Sequence, residues 1–381
     1  MTAASEALSP ARTPALERLT CVIPAGGVGS RLWPLSRANA PKFLLDLTGS
    51  GDSLLRATWD RLSPVTPAER VMVVTGNAHR ASVTEQLPEL LAQNLITESE
   101  PKDSSAAIGL AAAILETRDP DAIIGSFAAD HVIRGDVLFQ RAVSTAVQAA
   151  DQGYIATIGI HPSHPATGFG YIACGSARGD LAPFDVYEVT EFVEKPDEAT
   201  ATDYLLRGSY LWNAGMFIAK ATVLLDQMAL AEPELVRSLR EIADAWDTDR
   251  GAQVRERLWP ALPKIAIDYT VAEPAAAAGK MVCVAAHFDW DDVGDFASVA
   301  NLLTRGRSSD LAVLGDGAQV LSDASSGIVV SESDRLVALV GMEDVVVVDT
   351  ADVLLVTSKS RAQDVKNLVN RMRLTGGGHL L

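Results

Sequence analysis

Cysteine is scarce: Cys21, Cys174 and Cys283 are the only three in 381 residues, far apart and in no CxxC pair. That spacing excludes a disulfide framework and a thiolate zinc site. Cys21 in CVIP and Cys283 in MVCVAA read instead as small buried strand residues. Positive charge is also short, with 32 Lys+Arg against 49 Asp+Glu and a formal net charge of −17. Nucleic-acid backbones and anionic bilayers are held by a Lys/Arg surplus, so neither is an expected partner. No apolar run approaches the roughly 18 residues needed to cross a bilayer. The first residues, MTAASEALSPARTPALERL, hold no apolar stretch of the signal-peptide kind. The expectation is a soluble protein of a reducing compartment, the cytoplasm.

The composition itself, 48% apolar and 21% charged, is that of an ordinary globular chain. At about 150 residues per domain the length suggests two or three domains. Residues 1–18 are rich in Ala, Ser and Pro and read as a flexible leader. From residue 19 short apolar strands alternate with helical patterns. Leu19–Pro24, Val71–Thr75, Asn94–Glu98 and Ala122–Ala128 read as strands. Ser53–Leu62, His79–Leu91, Ser104–Thr117 and Asp136–Ala150 read as helices. This alternation predicts βαβ units: a Rossmann-like α/β fold with a mixed, mostly parallel sheet and helices on both faces. After Tyr154 further strands and helices follow, including one helix over Thr222–Trp246, and this domain is expected to run over 19–305. Residues 306–381 carry short β runs such as GIVVSE, LVALVG and VVVVDT, then the helical pattern Arg361–Met372. They predict a small C-terminal β-rich domain closed by a helix; the repeat is too irregular to assign a β-helix.

The first chemical signal is the glycine cluster after the first strand, Ala25-Gly26-Gly27-Val28-Gly29-Ser30-Arg31. Glycines there let backbone N–H groups approach a phosphate without an intervening Cβ. Two phosphate-loop patterns fail, because GxGxxG would need glycine at Leu32 and no Gly-Lys pair is present for a P-loop. What stands is a glycine-rich loop with Arg31 inside and Lys42 shortly after, two cations suited to one anion. Read alone, the same residues fit a solvated turn equally well.

The stretch GGVGSRLWPLSRANAPKFLL resembles the signature of the sugar-1-phosphate nucleotidyltransferase family. Its RLWPLSR…PKF form is most similar to members that use GTP and mannose 1-phosphate. The resemblance continues in family order through Glu100–Ala107 (EPKDSSAA), Ala129-Asp130-His131 and Thr167–Ile172 (TGFGYI). It then takes in Phe192–Pro196 (FVEKP), Trp212–Phe217 (WNAGMF), Ile267-Asp268-Tyr269 and Trp290–Gly294 (WDDVG), covering about residues 19–303. There are departures: Asp295-Phe296 stands where a small residue and Trp are usual, Ser30 for Thr, and Ala214 for Ser.

This resemblance implies nucleotidyl transfer, with pyrophosphate released from GTP and the nucleotide joined to α-D-mannose 1-phosphate. It implies a nucleotide site of Ala25, Gly26, Gly27, Gly29, Arg31, Lys42, Asp103 and Ser105. It implies a sugar-phosphate site of Gly170, Glu194, Lys195 and Asn213, with Arg31, Lys42 and Lys195 as the catalytic cations. Mg²⁺ on Asp130 and Asp292 is implied as well, since that ion takes hard oxygen ligands and usually only one or two carboxylates. Taken singly, several of these have plain alternatives: Asp130 as a turn cap, Glu194-Lys195 as a solvated pair, Trp212 and Phe217 as core, Asp268 as a helix cap. The same chemistry with another NTP or glucose 1-phosphate is the nearest competing reading. A catalytically silent nucleotide-sugar-binding subunit is a second, opposed by the presence of all five key charges. Exposed strand edges in the C-terminal segment suggest a homodimer through it.

Overall fold

The computed structural model describes residues 13–181, 185–306 and 310–381. Of the expected leader, residues 1–12 lie outside the described residues. Leu16 is buried, and Arg18 pairs with Asp151 at 2.7 Å.

Contacts divide the chain into two compact units that do not follow its linear order. The first holds Met1–Ala25, Trp59–Ala128 and Ile133–Trp290; the second holds Gly26–Thr58, Ala129–Val132 and Asp291–Leu381.

The first unit is built on a nine-stranded mixed sheet. Its strands are β1 (Leu19–Ala25), β2 (Val71–Gly76), β3 (Leu95–Glu98), β4 (Ile123–Ser126), β6 (Ile155–Ile160), β7 (Gly170–Ala177), β8 (Val186–Glu194), β9 (Tyr210–Lys220) and β10 (Met281–Ala285), while β5 (Val132–Arg134) stands outside this sheet. The order is β3-β2-β1-β4-β9-β6-β10-β8-β7. Strands β3, β2, β1 and β4 run parallel, as their near-continuous burial requires of strands covered on both faces. Antiparallel pairing enters with β9, which joins β4 to β6. The helix Asp103–Arg118 is buried from Ser105 to Leu115, so it is apolar all round rather than amphipathic. It packs against β1 and β2 and against the helices Ala221–Ala231 and Pro233–Ala245. The helix Asp136–Asp151 lies against β6, β9 and β10.

The single helix expected over Thr222–Trp246 is two, ending at Ala231 and restarting at Pro233. Proline disfavours helical geometry in the residue before it and lacks the N–H that the preceding turn would bind, but it suits a first helical position. The helix expected over His79–Leu91 is shorter, Arg80–Gln86, since Leu87 leaves helical geometry at φ −124°, ψ 70°.

In the second unit, Leu311–Leu314, Gly327–Ser331 and Val345–Asp349 form successive parallel strands, and Val320–Asp323 pairs in parallel with Val337–Val340. Leu311 pairs with Gly327, and Gly327 in turn with Val345. This is a short parallel β coil, a regularity that the uneven sequence repeat concealed. Leu354–Ser358 closes it antiparallel, and the helix Val365–Leu374 follows. The coil packs into one apolar cluster with Leu32, Trp33, Leu47, Leu54 and Phe296.

Candidate active site

Within the second unit, Lys42 is the hub. It opens a short 3-10 turn, and its backbone N–H donates to the Val28 carbonyl at 3.2 Å. That bond draws the PKF segment onto the glycine loop. Its side chain is buried, the residue being only 7% exposed, and Nζ donates to Asp130 Oδ2 at 2.8 Å and to the Asp292 carbonyl. A buried ammonium needs such partners, because leaving one unpaired costs several kcal/mol. Gly29 explains part of the loop sequence: at φ +75° it is left-handed, and a Cβ there would stand 2.7 Å from Lys42 Cβ.

Asp130 and Asp292, distant in sequence, are brought together around Lys42. Burial would raise the Asp130 carboxyl, but the Lys42 ammonium and His131 outweigh it and hold it below its ordinary value. The Asp292 carboxyl is raised, because burial there prevails over Lys42, His131 and Arg31. Its neighbour Asp291 turns aside: its Oδ1 accepts the Val293 N–H at 2.7 Å. Val293, β-branched, sits at φ +47°, a strained geometry that holds the WDDVG turn. A Cβ at Gly294 would lie 3.2 Å from Arg31 Nη2 and 3.3 Å from Asp292 Oδ2, so this glycine leaves room for both groups. Arg31 Nη1 donates to Gln363 Oε1 at 2.7 Å, and the Gln363 amide also donates to Asp295. Asp295, one of the departures, caps the helix Phe296–Thr304 by accepting the Ser298 N–H at 2.9 Å.

Among the described residues no three His, Cys, Asp or Glu side chains are grouped to hold a metal ion. Two carboxylates beside the buried Lys42 ammonium fit an ion that keeps waters and takes its other oxygens from phosphates, which is the habit of Mg²⁺.

The first unit assembles the second cluster. Gly170 pairs in register with Glu194, and a Cβ on it would meet Glu194 Oε2 at 2.6 Å and Asn213 Cβ at 3.3 Å. Lys195 follows at φ +49°, its ammonium bonded to Glu194 Oε1. Burial alone would lower the Lys195 ammonium, but Glu194, Asp268 and Tyr269 raise it, so it stays charged. Asn213 is more committed than a free diol-binding amide: Oδ1 accepts from Thr157 Oγ1 (3.0 Å) and the Gly215 N–H (3.1 Å), and Nδ2 donates to Asp268 Oδ1 at 3.1 Å. One amide proton is left for a ligand.

Asp268 is pushed up to about 6, first by burial and then by Glu194. The neutral form's contribution to stability is complete below the unfolded carboxyl value, near 4, and is lost as pH rises through 6. Asp268→Asn should therefore raise the melting temperature at pH 8 by a few degrees, with a smaller gain at pH 5. Thermal melts at the two pH values check this; no gain at pH 8 contradicts it.

Of the residues expected to meet a nucleotide, Ala25 ends β1, its carbonyl accepting from Thr75 Oγ1 at 2.8 Å. Asp103 opens its helix at φ +68° and is exposed. Ser105 faces inward: its hydroxyl shares a 2.8 Å hydrogen bond with Thr270, and its N–H donates to the Ile265 carbonyl. It anchors the helix, and its side chain is not available to a nucleoside. Gln363, Thr157 and Thr270 carried no signal in the sequence, since each acts through a contact far along the chain.

Residues 20–305 match the nucleotidyl transferase family, and 317–372 match the MannoseP isomerase/GMP-like beta-helix domain. The chain belongs to the nucleotidyl transferase family and is an enzyme of that class. Its relatives are particular. It is 37% identical to a mannose-1-phosphate guanylyltransferase of Klebsiella pneumoniae, over 92% of this chain and 73% of that one. It is 38% identical to the xanthan biosynthesis protein XanB of Xanthomonas campestris pv. campestris (strain B100), over 93% and 73%. A crystal structure from Thermus thermophilus, described as a mannose-1-phosphate geranyltransferase, superposes with a TM-score of 0.80 at 29% identity, covering 93% of this chain and 99% of that one.

Proposed function

We propose that this enzyme makes GDP-mannose and pyrophosphate from GTP and α-D-mannose 1-phosphate. The observation that carries the reading is the convergence of Asp130 and Asp292 on the buried Lys42 ammonium. A phosphate oxygen of the sugar ester forms a bond to the α-phosphorus of GTP; the bond from that phosphorus to the bridging oxygen breaks, and pyrophosphate leaves with the electron pair. The nucleophile is an anion at neutral pH, so no side chain need deprotonate it. The chain's task is to position two anions and offset their repulsion. Arg31 and Lys42 take the charge that grows on the departing pyrophosphate. Lys195 holds the attacking phosphate, while Glu194 and the remaining Asn213 amide proton meet sugar hydroxyls. Backbone groups of Ala25, Gly26, Gly27 and Gly29, with Asp103, receive the nucleotide. Asp130 and Asp292 would hold Mg²⁺, which when bound supplies Lewis-acid charge to the phosphate oxygens.

The reading is tested by incubating the enzyme with GTP, mannose 1-phosphate and Mg²⁺ and quantifying both products. Equal amounts of nucleotide sugar and pyrophosphate are expected, and loss of both with a chelator; turnover unaffected by chelator contradicts the metal assignment. A GTP-consuming synthesis belongs in the cytoplasm, where nucleoside triphosphates are made, and among the described residues no helix is long and apolar enough to cross a membrane. Leu336, Val340, Met342, Leu354 and Val356 are exposed on the C-terminal coil, a face suited to a second copy. Sedimentation should give a dimer, which Val340→Glu with Val356→Glu converts to monomer; a wild-type monomer contradicts this.

A further inference from the structure

Within the second unit, the C-terminal residues reach back to the RLWPLSR segment at three places. Arg31 Nη1 donates to Gln363 Oε1 at 2.7 Å, Trp33 Nε1 to the Leu380 carbonyl at 2.7 Å, and Arg37 Nη1 to Asp352 Oδ2 at 2.8 Å. Trp33 and Arg37 anchor the segment, whereas Arg31 has a proposed part in the chemistry. Its partner Gln363 lies in the 3-10 turn Lys359–Asp364. The Gln363 amide is bound at both ends: Oε1 accepts from Arg31, and Nε2 donates to Asp295 Oδ2. Asp295 is itself fixed, being 4% exposed, with Oδ1 accepting the Ser298 N–H at 2.9 Å and the Ser298 hydroxyl at 3.2 Å. Turning the amide over would set its NH₂ against the guanidinium and its carbonyl against the carboxylate. One orientation alone satisfies both neighbours.

We propose that Gln363 is the positioning residue for Arg31, directing the guanidinium at the departing pyrophosphate without neutralising it. The amide spends one guanidinium N–H and leaves the positive charge whole. A glutamate in its place would bind Arg31 harder, offset the charge that the pyrophosphate needs, and oppose the Asp295 carboxylate. Direction matters as much as charge. The other nitrogen, Nη2, lies beside Gly294, where an added Cβ would stand 3.2 Å from it and 3.3 Å from Asp292 Oδ2. Without its tether the guanidinium is free to turn onto that carboxylate, away from the phosphates. This inference rests on the transferase reading for the role of Arg31 and adds the residue that aims it. Asp295, one of the departures from the family pattern, becomes the anchor of that residue.

The test is a double-mutant cycle of Arg31→Met and Gln363→Met. It is read in kcat, in KM for mannose 1-phosphate, and in calorimetric binding of pyrophosphate with Mg²⁺. Gln363→Met should lower kcat and pyrophosphate affinity by about ten- to a hundredfold, the cost of a misaimed group. KM for mannose 1-phosphate should change by less than about twofold, and the exposed position should leave the melting temperature nearly unmoved. Arg31→Met should cost about 10²–10³, and adding Gln363→Met should cost less than about twofold more. A Gln363 effect of equal size in both backgrounds overturns the assignment, as does wild-type kcat in Gln363→Met. Should that variant not fold, Gln363→Asn, too short to span Arg31 and Asp295, takes its place in the cycle. Gln363→Glu with Asp295→Asn rebuilds both hydrogen bonds and keeps a good helix cap, but sets a carboxylate on Arg31. It should fold as the wild type and stay slow; full recovery of kcat overturns the claim that the partner must be neutral. A wild type that shows the non-additive pyrophosphate binding yet forms no nucleotide sugar contradicts the transferase reading and leaves Gln363 standing. One that forms nucleotide sugar, with additive losses, does the reverse.

Discussion

Asp130→Ala is expected to lower kcat by roughly a thousandfold and to destabilise the protein at the same time. The catalytic loss follows because one of the two carboxylates proposed to hold Mg²⁺ at the phosphates disappears, and charge placed where it develops in the transition state is worth about 10²–10³ per group or more. The stability loss has a separate cause. Lys42 Nζ is buried and would keep only the Asp292 carbonyl, so the unpaired ammonium should cost about 3–5 kcal/mol. A double-mutant cycle separates the two effects. Adding Lys42→Met to Asp130→Ala removes the orphaned charge and should restore much of the stability while activity falls further. Denaturant midpoints and single-turnover rates on the four proteins check this. A cycle in which stability and activity recover together contradicts the assignment.

Lys195→Met should lower kcat/KM for mannose 1-phosphate by about 10²–10³, with KM for GTP changed by less than about threefold. The Lys195 side chain is 60% exposed but that of its partner Glu194 only 9%, so the variant should keep its fold while melting a few degrees below the wild type. Methionine keeps most of the stem, which leaves the lost charge as the main change. Steady-state kinetics with each substrate varied in turn decides the matter. An equal rise in KM for both substrates would mean that Lys195 does not belong to the sugar-phosphate side.

The parallel half of the sheet was legible because its strands are short apolar runs bounded by turn residues, and its helices carry clear apolar spacing. The break at Pro233 is legible in proline chemistry, which overrides the apolar pattern of Thr222–Trp246. The β coil was harder to read. Its strands pair across turns of unequal length, so the period that defines it exists in register rather than in spacing. Among the candidate residues, the motifs mark Lys42, Asp130, Lys195 and Asp292, and each unit of the structure supplies what its own members lean on. Gln363 ties Arg31 to Asp295, Asp268 occupies the Asn213 amide, and Thr270 takes the Ser105 hydroxyl. Gln363 and Thr270 carry no local pattern, since each is defined by a contact that only folding creates, whereas Asp268 lies in the IDY motif.

The most direct measurement of the proposed reaction uses mannose 1-phosphate labelled with ¹⁸O in its phosphate, turned over with unlabelled GTP. Attack by the sugar phosphate on the α-phosphorus predicts that the oxygen bridging the two phosphorus atoms of the nucleotide sugar carries ¹⁸O and that the released pyrophosphate carries none. Label in the pyrophosphate, or an unlabelled bridge, would contradict it.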